Sequence, residues 1–347
     1  MTDILRARKR QTKCRCGREG REIIMSAVKK AVATDNKMTV NNARKKQRSF
    51  ASCFKRDWQL YSLLLIPLAF CIIFKYVPMG WLQIAFKDWK IKDGFFGGEW
   101  VGLEIFSKVF HHRNFLKSLR NTLLLNVLDL VVSFPMPIIL ALLLNEIRSL
   151  KFKKVTQTLL YLPHFLSWVI IGGLAYQLLS VNTGVVNALI QGLGGTPVNF
   201  LQENASWLVT YIIVGAWQSM GWGTIIYLAS ITSVNPELYE AARVDGANRW
   251  QQMLHVTLPC IRSTIVVLLI MKLGKIMGGS FERIMALMNY AATEYTTTIP
   301  VLVYQWGIQD MKFSQSTALG LFQSVIGLLL VLASDFIAKR MGENGLV

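Results

Sequence analysis

Apolar runs near or above the length of a bilayer crossing recur along the chain, at roughly 58–81, 119–144, 155–179, 206–230, 261–279 and 319–338. A helix rises ~1.5 Å per residue, so about 20 apolar residues span a hydrocarbon core of ~30 Å. Lipid offers no hydrogen bonds, and only an element that satisfies its own backbone can cross it. The runs are therefore expected to be helices, and the chain an all-α integral membrane protein with about six transmembrane helices. With 52% hydrophobic and 17% charged residues, the 347-residue composition lies outside the range of ordinary soluble domains.

Charge sets the expected orientation. Residues 1–57 hold 17 Lys and Arg against 5 Asp and Glu, much of the net +18. They read as a basic N-terminal tail ahead of a membrane domain at 58–347. The tail lacks the interleaved aromatics of a stacking surface, so nucleic acid is not an expected partner. A basic tail before the first crossing retains the N-terminus in the cytoplasm. The link 145–154 carries Arg148, Lys151, Lys153 and Lys154, whereas the loop 180–205 has no Lys or Arg. Arg243, Arg249 and Arg262 mark the loop after the fourth run as internal, and Lys339 with Arg340 place the C-terminus inside as well. Residues 280–318 hold only Arg283 and Lys312 as basic residues and are expected outside. One stretch dissents: 82–118 is assigned outside although it holds six Lys or Arg, offset by four acids.

Polar residues inside the runs draw attention because a bilayer penalises them. Pro135 and Pro137 should kink the second run, which also holds Asn126 and Asp129. Trp217, Gln218, Ser219 and Trp222 fall within six residues of the fourth run, and Tyr176 and Gln177 lie in the third. Aromatic faces and amides suit the stacking and hydroxyl contacts of a sugar, although packing against lipid or neighbouring helices accounts for such Trp equally well. Lys272 and Lys275 stand one turn apart on the fifth run, and each buried lysine costs about 2.5–3.5 kcal/mol on insertion scales. A partner acid such as Asp129, a water-filled cavity or an anionic substrate would offset that cost. The five cysteines form no metal-ligand spacing, and His111, His112, His164 and His255 form no i, i+4 ligand pair. No Gly-x-x-x-x-Gly-Lys-Ser/Thr loop is present, so the chain has no nucleotide site of its own and is not expected to be an enzyme.

Between the fourth and fifth runs lies a long polar interruption, a loop at 231–260. Asn235 is a good N-cap, Pro236 suits the first helical turn, and Leu238, Ala241 and Ala242 make a narrow apolar stripe with small side chains at its centre. Gly246 permits a sharp turn before a second short helix that runs toward Pro259. Glu240-Ala241-Ala242, three residues, Gly246, nine residues, Val256, one residue and Leu258-Pro259 resemble the signature of the membrane subunits of ATP-binding-cassette importers, with Val256 where Ile is usual. The tract 100–106 and the segments 74–79, 85–88, 279–284 and 317–327 are similar to the polysaccharide and oligosaccharide branch of those permeases.

The resemblance implies a type I ABC importer transmembrane fold with a cytoplasmic coupling helix, in a bacterial cytoplasmic (inner) membrane. It implies a second homologous permease subunit, two ATPase subunits that carry the ATP and Mg, and an extracytoplasmic substrate-binding protein. Carried over residue by residue, Glu240, Ala241, Ala242 and Gly246 would dock on an ATPase, flanked by Arg243 and Asp245. Tyr176, Gln177, Trp217, Gln218, Trp222, Lys272 and Lys275 are the candidate substrate-cavity residues. The expected cargo is an oligo- or polysaccharide, with a uronate-type acid as one possibility. A non-sugar solute carried by the same machine remains open, as does a passive channel or a membrane-embedded enzyme.

Overall fold

In the computed structural model of the protein, residues 58–94, 97–279, 281–289, 291 and 294–342 are described. The basic tail, with Cys14, Cys16 and Cys53, lies outside them. Internal contacts divide the chain into two compact units, Met1–Met79 and Gly80–Val347. In the first unit, α1 (Trp58–Cys71) runs into a π turn at Ile72–Tyr76. Apolar side chains of α1 and this turn, Leu63, Ile66, Phe70 and Phe74 among them, are largely exposed, as a lipid-facing helix requires. A 3-10 stretch, Val77–Phe86, follows, so the first crossing continues past the expected end at residue 81.

The second unit opens with a two-residue antiparallel pair, β1 (Lys87–Asp88) and β2 (Glu99–Trp100), then α2 (Glu104–Phe110). The basic character of 82–118 is partly local: Lys108 pairs with Glu104 at 2.8 Å. Helix α3 (Phe115–Ser133) starts before residue 119, so part of the expected loop belongs to the second crossing. Phe134 separates it from α4 (Pro135–Glu146), a break that follows from the prolines: Pro137 lacks the N–H that the Ser133 carbonyl would otherwise receive.

The expected third crossing is not straight. Helix α5 (Leu150–Tyr161) and a 3-10 turn at Leu162–Phe165 meet α6 (Trp168–Leu178) at 102°. Leu166 is extended, and Ser167 caps α6 by accepting from the Ile170 N–H, so a new helix starts in a new direction. A short helix α7 (Val185–Gly192) precedes α8 (Asn204–Thr232), the 29-residue helix around which the unit is packed. Helices α3, α4, α5, α12 and α13 all touch α8.

After the interhelical loop, made of α9 (Pro236–Val244), α10 (Arg249–Gln252), a π turn and α11 (Leu258–Cys260), helix α12 (Arg262–Gly274) turns by 60° from the segment before it. It ends at Gly274, five residues before the expected limit, and Lys275 is its C-cap. The segment 280–318, expected as an external loop, instead contributes α13 (Phe281–Leu287) and α14 (Ile299–Tyr304), whose Ile284, Leu287, Ile299 and Leu302 are core residues. The last helix, α15 (Phe313–Arg340), begins six residues before residue 319. Among the described residues, four helices are long and apolar enough to cross a membrane unaided, and the two bent pairs raise the number to as many as six.

Close helix approach depends on glycine. A Cβ at Gly221 of α8 would fall on the Leu160 carbonyl of α5, whereas one at Gly173 of α6 would meet nothing within 4 Å. Small interfacial residues are the usual device where lipid supplies no hydrophobic drive between helices. We therefore predict that Gly221→Val destabilises the protein by about 1–3 kcal/mol or more through overpacking. Thermal unfolding in detergent, followed by size-exclusion fluorescence, should show a lowered midpoint for Gly221→Val and little change for Gly173→Val.

Candidate functional site

The breaks in the helices leave a cavity of about 520 Å³ against α8, within the range of small-ligand sites. Helix α3 supplies Asn126, Asp129 and Leu130, α6 supplies Trp168, and α8 supplies Gly215, Gln218, Ser219 and Trp222. The opposite wall consists of Leu268, Met271 and Lys272 of α12, the turn that carries Lys275, Ile276 and Gly279, and Arg283 of α13.

Electrostatics dominate this wall. Asp129 accepts from Arg283 Nη1 at 2.9 Å and from the Ser133 hydroxyl at 3.0 Å, and Lys272 Nζ lies 3.3 Å from its other oxygen. The Arg283 side chain is 3% exposed, and its guanidinium carbon sits 3.9 Å from the centre of the buried Tyr211 ring. Gly215 makes this possible, because a Cβ there would collide with the guanidinium. Three cations therefore face one carboxylate among the lining residues. Among the described residues, Lys275 has no ion-pair partner and the Gln218 amide makes no hydrogen bond. Trp222 is held by face-to-face stacking on His164, with ring centres 4.7 Å apart and planes 9° from parallel.

The candidate residues thus separate. Gln218, Trp222, Lys272 and Lys275 meet in this cavity. Trp217 is outside it and 41% exposed, since it stands ~100° around the helix from Gln218. Gln177 is exposed and does not line this cavity, and Tyr176 lines a separate pocket of about 380 Å³ with Asn182, Asn199, Gln202 and Asn289, its hydroxyl donating to the Met288 carbonyl. Arg283 and Trp168 join the site without having been singled out in the sequence. Arg283 sits in a segment whose Phe281, Ile284 and Leu287 recur at helical spacing, and that periodicity was the available signal.

The interhelical loop is folded by its own caps. The Asn235 side chain accepts from the Glu237 N–H at 3.0 Å, and Pro236 occupies the first turn of α9. Asp245 is the C-cap, and Gly246 takes φ +81°, which lets the Ala247 N–H reach the Ala242 carbonyl at 2.9 Å. Asn248 and Gln251 form a reciprocal capping box that starts α10. Tyr239 and Thr257 hydroxyls, 2.9 Å apart, close the loop on itself, and Arg249 reaches Glu146 at the end of α4 at 3.2 Å. Ala241 is exposed and Ala242 half-buried, while Glu240 and Arg243 line a groove of about 770 Å³ beside Glu146 and Arg148. Leu238, Val244 and Trp250 are apolar side chains left exposed on the same loop, the last two at 88% and 65%.

Residues 109–343 match the family described as the inner membrane component of binding-protein-dependent transport systems. The chain belongs to this family. The permease is 46% identical over 287 residues to the polygalacturonan/rhamnogalacturonan transport system permease protein YteP of Bacillus subtilis, covering 83% of this chain and 89% of that protein. It is 44% identical over 299 residues to protein LplB of the same organism, covering 86% and 94%. Among solved structures it is similar to a chain of a bacterial alginate ABC transporter in complex with an alginate pentasaccharide-bound periplasmic protein, at 40% identity and a TM-score of 0.78, covering 86% and 99%. The helical arrangement is thus that of a type I ABC importer permease, and members of this family are transport subunits rather than enzymes.

The ion network generates a sharp expectation for stability. Asp129→Ala leaves the Arg283 guanidinium buried without a counter-charge, and breaking such a pair costs about 3–5 kcal/mol. Replacing both partners by apolar residues, Asp129→Leu with Arg283→Met, should recover much of that loss. Melting of the purified single and double variants checks this: a double variant no more stable than Asp129→Ala would contradict it.

Proposed function

We propose that the permease translocates acidic oligosaccharides, of the uronate type, inward across the cytoplasmic membrane by alternating access. The observation that carries this reading is the excess of positive charge on the cavity wall, where Lys272, Lys275 and Arg283 stand against the single carboxylate of Asp129, beside the aromatic face of Trp222 and the Gln218 amide. A cavity of that charge attracts polyanions, because the low-dielectric helices that wall it focus the field into the space between them. The relative named for polygalacturonan/rhamnogalacturonan transport, and the structure named for alginate, support the same class of cargo.

In this reading both termini and the loop 231–260 face the cytoplasm. A second, homologous permease completes the pathway, and a substrate-binding protein delivers cargo from outside. Two ATPase subunits bind ATP and Mg, and ATP binding and hydrolysis there drive the switch between outward and inward access. Helix α9 is the coupling helix: Glu240, Ala241 and Ala242 enter a cleft on the ATPase, Arg243 and Asp245 flank the contact, and Gly246 sets the turn that presents it. The short Ala side chains leave room for a close fit, and Arg249 joined to Glu146 ties the loop to the bundle.

Two measurements test the proposal. In proteoliposomes that contain the assembled transporter and its binding protein, oligogalacturonates of three to five units should stimulate ATP hydrolysis and neutral maltooligosaccharides should not. Equal stimulation by the neutral series would refute the acidic cargo. Separately, Ala242→Trp should leave the permease in the membrane at normal levels while abolishing ATP-driven uptake, because the indole overfills the contact. Normal uptake by that variant would show that α9 does not couple transport to hydrolysis.

A further inference from the structure

We infer that Lys275 is the specificity-determining residue of the pathway, the cation that reads a substrate carboxylate, while Lys272 and Arg283 are committed to Asp129. The inference rests on the acidic-saccharide reading and adds to it which charge does the selecting.

The three cations differ in what they touch. Arg283 is buried and bonded to Asp129, and Lys272 is paired with the other carboxylate oxygen. With both oxygens engaged, Asp129 neutralises one cation and positions both. Lys275 alone of the three lacks a protein partner among the described residues. It lies thirteen residues beyond Arg262, the start of α12, about 20 Å along the helix at ~1.5 Å per residue. A lysine at that depth with no counter-ion is costly, unless water or an anion reaches it.

The backbone makes the same point independently. At Gly274 the helix stops, and the Lys275 carbonyl accepts from the Gly278 and Gly279 N–H groups in a tight turn, with Gly279 at φ +57°. Non-helical backbone at membrane depth is tolerated only where it is buried in protein or lines a water-filled cavity. Here the turn stands between two hollows that share Met271, Lys275 and Gly279. One is the 520 Å³ cavity, and the other is a groove of about 500 Å³ between α12 and α15. That groove is floored by Gly274, Gly278 and Gly327 and edged by the Gln323 amide and the Ser324 hydroxyl. Gly274 and Gly327 let α12 and α15 approach closely, since a Cβ at either would collide with the facing helix, and the amide and hydroxyl at the edge suit sugar hydroxyl groups. A uronate chain running from one hollow to the other passes Lys275, whose flexible stem lets a compact ammonium follow a carboxylate on either side.

The test uses the assembled transporter in proteoliposomes and compares uptake of a galacturonate trimer with its fully methyl-esterified, uncharged counterpart. A charge-assisted hydrogen bond of ordinary strength corresponds to about a ten- to hundred-fold preference. Lys275→Gln should reduce the acid-to-ester ratio of kcat/KM by about that factor, and Lys275→Arg should restore most of it. A Lys275→Gln transporter that keeps the full acid preference would overturn the inference. So would loss of both substrates together with failure to assemble, which would make Lys275 a structural partner of the second permease. Failure of the underlying reading looks different: the unmutated transporter would show no preference for the acid at all.

Discussion

A carboxylate shared by two cations inside an apolar bundle is the interaction on which the rest of this structure depends. Asp129 comes from α3, Lys272 from α12 and Arg283 from α13, so one side chain fixes three helices that hydrophobic contact alone would leave free to slide. In lipid the apolar surfaces of helices gain little by meeting each other, and packing, small residues and polar contacts decide which faces do so. The charges are therefore both the costliest groups in the bundle and the ones that specify its register. Gly215 shows how closely the two requirements interlock, since the guanidinium occupies the space a side chain on α8 would fill.

Transport needs helices that are interrupted, and the interruptions have identifiable chemical causes. Pro135 and Pro137 divide the second crossing, Ser167 restarts the third after an extended Leu166, and the fifth ends at Gly274. Each break removes backbone from the helical ladder, and a polar wall or a local turn must satisfy it. The cavity gathers where such breaks meet α8. At the other end of the molecule, Arg249 and Glu146 connect the interhelical loop to α4, which packs on α8, so the loop and the cavity wall share one helix as a common support.

Much of this was legible in the sequence, and the parts that were not share a cause. Apolar runs locate helices because crossing length and backbone satisfaction leave no alternative. The α9 loop was equally plain, since Asn235, Pro236 and Gly246 are capping residues whose roles are local. Asp129 and Lys272 stood out as charges in apolar surroundings. Arg283 did not, because its neighbours 280–318 are mixed in composition and read as a loop, and its burial depends on helices distant in sequence. Trp217 and Gln177 illustrate the converse: their types suit a sugar site, yet the rotation of a helix about its axis is set by packing, and both turn away from the cavity. The 102° bend at Leu166 was invisible for a related reason, since one proline and one serine do not reveal an angle.

The cavity beside Gln218 must be open to water and carry net positive potential if it conducts a uronate chain. With the native cysteines removed and Gln218→Cys introduced, an anionic thiosulfonate and its cationic analogue report that potential directly through their rates of modification in membranes. The anionic reagent should react faster, relative to the pair's rates with a free thiol, and added oligogalacturonate should slow it. A thiol that neither reagent reaches, or one that the cation modifies faster, would contradict this expectation.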